Sequence, residues 1–238
     1  MSITSQANEK KIMKKLIFQV DISGYNHEAN NFWRPFTRVD GLYEHSKESV
    51  MRYAKRLGSD YMVLSQAMVG DLAPTYQRLA FYKLFEKFDY DLIIYMDCDQ
   101  IILDPNTCPN IFEYNEFCGV QNCDGDPEIN NPEENPMHGI APGYKKFFNP
   151  GILLLTREFY EATKDHWQAE TEYWSKRNND SIHDGSILNC LAYKHWPHDR
   201  IILLDPDFGS WWKGGGKYIE HYGTFRKHEY FERFHGNP

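Results

Sequence analysis

The sequence predicts an α/β fold with a mainly parallel sheet covered by helices, and three observations carry that expectation. Short apolar runs alternate with amphipathic helical segments from residue 15 onward, giving a β-α-β-α-β opening. The third apolar run, within DLIIYMDCDQIILD at 91–104, ends in two aspartates one residue apart, at the kind of strand terminus where such sheets hold ligands. With 238 residues the chain can bury a large core, which favours one domain at 15–238 behind an N-terminal tail at 1–14.

The elements are expected in this order. KLIFQVDI at 15–22 reads as the first strand, and 43–57 as a helix with Val50, Met51, Ala54 and Leu57 on one face, closed by Gly58. DYMVL at 60–64 is a short strand. Pro74 opens a second helix, TYQRLAFYKLFEKF, in which Leu79, Tyr82, Leu84 and Phe88 keep helical spacing, and the aspartate-bearing strand follows. From Gln121 to Phe148 the chain turns polar and rich in Pro and Gly, without periodicity. A stretch of that length reads as a substrate-facing flap, centred on 123–144. GILLLT at 151–156 is a buried strand, Arg157–Arg177 a helix, Asp184–His195 another, RIILL a strand and KYIEHY a last short strand before a basic-aromatic tail.

Composition narrows the partners. A net charge of −8, from 26 Lys+Arg against 34 Asp+Glu, argues against nonspecific binding to nucleic acid or anionic lipid. Five cysteines (Cys98, Cys108, Cys118, Cys123, Cys190) without CxxC spacing indicate neither a disulfide framework nor a zinc site and fit a reducing, cytoplasmic setting. No apolar run reaches the roughly 20 residues of a membrane span, and Leu16–Val20 is too short for a signal sequence. Aromatic side chains in the C-terminal third, Trp211 and Trp212 among them, offer surfaces on which sugar rings stack, and Gly214-Gly215-Gly216 suggests a hinge.

The aspartate pair carries the chemistry. In an extended Asp97-Cys98-Asp99 both carboxylates point one way, while Cys98 turns toward the interior. Asp-x-Asp also caps ordinary turns. Here the pair sits between two apolar runs, where unneutralised charge is expensive. A hard divalent cation relieves that cost, because Mg²⁺ and Mn²⁺ share their coordination between one or two carboxylates and substrate phosphates.

Taken in order, YQRLAFYKLF, LIIYMDCDQIILD, FFNPGILLLT, HDGSILN and EHYGTFRK resemble the signature series of glycosyltransferase family 8 and its GT-A-fold relatives, over residues from about 15 to 230. The resemblance implies a GT-A (Rossmann-like) domain, a nucleotide-sugar donor (generally a UDP-sugar), a glycan or other hydroxyl acceptor, and Mn²⁺ or Mg²⁺ held by Asp97, Asp99 and His221. It places Arg78, Asn149 and Asp184 at the transferred sugar. Arg78, Cys98, Gly151, Gly223 and Lys227 would meet the donor, with Gly223 one place early in its motif. Asp21, Ser23 and Tyr25 follow the first strand where relatives hold base and ribose. Gly185 stands after Asp184 where relatives carry glutamine. That leaves both a retaining outcome and an inverting one, with Asp184 as general base. Two other classes fit parts of the pattern: a noncatalytic carbohydrate-binding module, and a haloacid-dehalogenase-like phosphatase with Asp97 as nucleophile.

Overall fold

The computed structural model describes residues 12–22, 41–70, 72, 74–121, 148–176, 184–209, 216–222 and 227–235, with Asp184, Lys227, Phe231 and His235 described in backbone only. The strands are β1 (Lys15–Val20), β2 (Asp60–Leu64), β3 (Leu92–Met96), β4 (Gln100–Ile102), β5 (Phe117–Gln121), β6 (Phe148–Thr156), β7 (Ile201–Leu204) and β8 (Ile219–His221). The helices are α1 (Leu42–Arg56), α2 (Phe81–Lys87), α3 (Arg157–Thr163), α4 (Trp167–Ser175), α5 (Asp184–His195) and α6 (Lys227–His235).

Six strands form one sheet in the order β2-β1-β3-β6-β5-β7. β1 runs parallel to β2 and β3, and β5 parallel to β7, whereas β6 lies antiparallel between β3 and β5. β4 and β8 make a separate antiparallel pair in which Gln100 stands opposite His221. The strands are apolar on both faces because both are covered. Leu16, Phe18, Ile93, Tyr95, Leu153 and Leu155 pack with residues of α2, α3, α4 and α5. Ile17, Ile94, Met96, Ile152 and Leu154 pack on the other side with Val50, Tyr53 and Ala54 of α1.

Several elements depart from the sequence expectation, each for a local reason. Pro74–Ala80 is a tight 3-10 turn ahead of α2 rather than the helix's first turns. The buried Gln77 amide holds the preceding loop, accepting from Met68 and Val69 N–H and donating to the Val69 and Leu72 carbonyls. The single helix expected from Arg157 to Arg177 is two, broken at 164–166. Thr156 caps the first, accepting from Phe159 N–H at 3.0 Å, and the break lets Trp167 stack on Tyr82 with ring centroids 4.9 Å apart. β5 and α6 carry no expectation from the sequence. α6 is held by aromatic contacts of Tyr230 and Phe234 with His45 and Tyr222. Gly216 is closely packed, since a β-carbon there would stand 2.3 Å from the backbone oxygens of Asp207 and Ile219, while Gly214 and Gly215 of the expected hinge lie outside the described residues. No helix among the described residues is long and apolar enough to cross a membrane.

Candidate metal centre and active site

β3 ends at Met96, and the chain turns immediately. Asp97 N–H donates to the Gly151 carbonyl at 2.8 Å, and Gln100 N–H closes the turn on the Asp97 carbonyl at 3.2 Å. The aspartates therefore converge through a turn, not through the extended strand assumed from the sequence. Cys98, at its tip, is partly buried. Its thiol is pushed well above the ordinary range by burial and by the neighbouring Asp99, Asp97 and Asp21 charges, which keeps it a neutral thiol.

His221 reaches this turn from the far end of the sequence because β8 pairs with β4, and Tyr222 N–H donates to the Asp99 carbonyl at 2.9 Å. Its Nε2 lies 3.2 Å from Asp99 Oδ1 and 3.7 Å from Asp97 Oδ2. One ligand atom from each of the three side chains lies within 4.8 Å of the others. Adjacent ligands about 2.1 Å from an octahedral ion stand about 3 Å apart; the Asp99–His221 edge of 3.2 Å is of that size and the Asp97–His221 edge of 3.7 Å is wider. Two carboxylate oxygens and an imidazole nitrogen are also a suitable donor set for a hard to borderline divalent cation.

The three ionisable groups perturb one another. Burial raises the Asp97 pKa; Arg78 opposes that, and Asp99 pushes it further up. For His221 burial disfavours the imidazolium, but Asp99 and Asp97 outweigh it and raise the pKa above its ordinary value. A proton on His221 thus does part of the neutralising that a cation would do.

A second layer fixes Asp97. Arg78 donates to its Oδ1 at 3.3 Å while lying over the Tyr95 ring at 5.2 Å, and the Tyr95 hydroxyl donates to the same oxygen. Burial and the Asp97 charge keep Tyr95 a neutral donor. Gln19, fully buried in β1, donates to the Asp97 carbonyl at 3.2 Å and to Ser46 Oγ at 2.9 Å, and accepts from the Tyr61 hydroxyl at 2.6 Å. Asp97 Oδ2 is left facing His221.

The start of β6 completes the site. Asn149 Oδ1 accepts from Gly151 N–H at 2.7 Å, which folds the Asn149-Pro150-Gly151 segment over the turn. A β-carbon on Gly151 would stand 2.7 Å from Gln100 Nε2, 2.8 Å from Asn149 Oδ1 and 2.9 Å from Asp97 Oδ2, so only glycine leaves that cradle open. The buried Asn189 amide in α5 clamps the strand from behind, donating to the Phe148 and Gly185 carbonyls at 3.0 and 2.9 Å and accepting from Phe148 N–H.

The structure thus gathers Asp97, Asp99, His221, Arg78, Asn149 and Gly151. Asp21 directly follows β1 and is ion-paired with Lys47 at 2.9 Å. Asp184 and Lys227 begin α5 and α6, and their side chains lie outside the described residues, as do Ser23, Tyr25, Gly223, the 123–144 flap and the Trp211-Trp212 pair. Sequence reasoning missed Tyr95, Gln19, Gln100 and Asn189. Tyr95 alone had a usable signal: two residues before Asp97 it shares that residue's side of the strand.

Glycosyltransferases share this architecture. One involved in the glycosylation of the major capsid of PBCV-1 superposes with a TM-score of 0.56, covering 91% of this chain and 99% of its own at 13% identity. The apo form of mouse xyloside xylosyltransferase 1 matches with a TM-score of 0.48 at 14% identity, over 90% of this chain and 98% of its own. Apo GlyE of Streptococcus pneumoniae TIGR4 matches with a TM-score of 0.46 at 15% identity, over 83% of this chain and 46% of its own, so this chain spans about half of GlyE. No protein-family model and no curated protein matches the sequence. At these identities the likeness is one of fold, and the first neighbour carries it. The fold is that of the GT-A glycosyltransferases, with an Asp-x-Asp and histidine cluster suited to a metal at the end of its third strand.

Proposed function

We propose that this chain is a metal-dependent glycosyltransferase that moves a sugar from a nucleotide-sugar donor, most naturally a UDP-sugar, to a hydroxyl of a glycan or other acceptor. The observation that carries the reading is the convergence of Asp97, Asp99 and His221 on one point of a GT-A fold. In this reading those three side chains hold Mn²⁺ or Mg²⁺, which when bound supplies electrostatic stabilisation of the departing diphosphate.

The other residues orient the reactants. Arg78 and Tyr95 fix Asp97, and the donor sugar meets the Asn149 side chain, which the close approach at Gly151 holds beside Asp97. Lys227, at the start of α6, is assigned to the donor diphosphate, for which a flexible ammonium is suited. Asp184, opening α5, meets the sugar or takes the proton of the acceptor hydroxyl. Asp21, Ser23 and Tyr25 follow β1 on the nucleotide side. In the transfer the anomeric carbon–oxygen bond to the diphosphate breaks, a bond to the acceptor oxygen forms, and the acceptor proton leaves.

The test is a panel of nucleotide-sugars assayed for Mn²⁺-dependent release of nucleoside diphosphate, with Asp99→Ala as the control. The wild type should turn over one donor, chelator should stop it, and Asp99→Ala should abolish the release while keeping its fold. Undiminished release from Asp99→Ala in chelator would overturn the reading. Donor binding with no release, with or without acceptors, would instead favour a carbohydrate-binding module.

A further inference from the structure

Gln100 opens β4 directly after the aspartate turn, and its side chain is fully buried. Both its Nε2 and its Oε1 lack any hydrogen-bond partner among the described residues. A desolvated amide of this kind is costly, and an apolar side chain of the same length would fill the space without that cost. Such an amide is explained where it serves the polar site beside it.

Its surroundings indicate the use. Gln100 Nε2 borders the cradle over Gly151, where Asn149 Oδ1 and Asp97 Oδ2 lie at nearly the same distance from the position a β-carbon would take. On the other side, Gln100 stands opposite His221 in the β4–β8 pair, and directly opposed residues of an antiparallel pair share one face. Gly209 adds room, since a β-carbon there would come within 3.5 Å of the same nitrogen. The amide thus borders the same Gly151 position as the Asp97 carboxylate and the proposed sugar-binding Asn149, on a residue that stands opposite His221, with a donor and an acceptor both without a partner among the described residues.

We propose that Gln100 is a positioning residue of the Asp97–Asp99–His221 centre, its amide orienting the Asp97 carboxylate and the Asn149 side chain once a divalent cation and a nucleoside diphosphate occupy the site. The inference rests on the metal-dependent reading above and extends it to a residue that binds neither ion nor sugar itself. Side chains that support metal ligands in this way typically change affinity by tenfold or more when removed.

Gln100→Met and Gln100→Leu remove the amide and keep an apolar side chain of similar bulk. Two quantities are measured: the thermal midpoint without metal, and the Mn²⁺ dissociation constant by electron paramagnetic resonance, with and without UDP. Both variants should melt at or above the wild-type temperature, while their Mn²⁺ dissociation constants rise about tenfold. Unchanged Mn²⁺ affinity in variants of a wild type that does bind the ion would overturn the role of Gln100 and leave the metal centre standing. A lower midpoint, or failure of both variants to fold, would mean that the amide already serves the ligand-free fold, and would overturn it too. Absence of Mn²⁺ binding by the wild type would remove the centre itself and this inference with it.

Discussion

Gly151→Ala probes the site through a single methyl group. The new β-carbon would stand 2.9 Å from Asp97 Oδ2, 2.8 Å from Asn149 Oδ1 and 2.7 Å from Gln100 Nε2. To regain an ordinary contact of 3.4 Å, these atoms must retreat by about 0.5, 0.6 and 0.7 Å. All three are side-chain ends, so the fold absorbs the change. The site does not, because ligand distances in a working metal centre hold to about 0.2 Å. Asp97 has little freedom to return, its other oxygen being tied to Arg78 and Tyr95. The expected result is a thermal midpoint within a few degrees of wild type, with Mn²⁺ affinity reduced at least tenfold, or about 1.4 kcal/mol. Titration calorimetry with Mn²⁺ and UDP reads the affinity, and circular dichroism reads the midpoint. Wild-type affinity in Gly151→Ala would refute the cradle as part of the metal and donor site.

Other consequences follow from the same geometry. Because Asp99 and Asp97 raise the His221 pKa, Mn²⁺ must displace a proton, so its affinity should climb close to tenfold per pH unit from pH 6 until the imidazole is neutral; a flat profile there would count against His221 as a ligand. The sign reverses for the ion-free protein: the stabilisation from charged His221 is complete below its ordinary value of 6.5 and is lost as pH rises through the raised one, so the ion-free melting temperature should fall over that window. Mn²⁺ at a hundred times its dissociation constant should stabilise the fold by about 2.7 kcal/mol, a rise of roughly 5–10 °C in differential scanning fluorimetry that EDTA reverses. Asn189→Ala strips the Phe148 backbone of its buried partners and should cost about 2–3 kcal/mol in urea unfolding; a loss below 0.5 kcal/mol would show that the clamp between α5 and β6 is dispensable.

By itself the sequence determined the α/β class, the strands β1, β2, β3, β6, β7 and β8, and the pairing of Asp97 with Asp99, because period, apolar runs and turn residues are local signals written in consecutive positions. It also pointed to His221 and Arg78, but through the order of motifs and not through any property of those residues alone. Only the tertiary structure decided how the aspartates converge, since that depends on a turn tied to the Gly151 carbonyl, and which oxygen of Asp97 remains available, since that depends on Arg78 and Tyr95 together. The roles of Gln100, Gln19 and Asn189 were equally invisible, each being one amide among many until long-range pairing placed it. A residue's neighbours across the sheet are set by the packing of the whole chain, so the chemistry of the site became readable only once β4 had met β8.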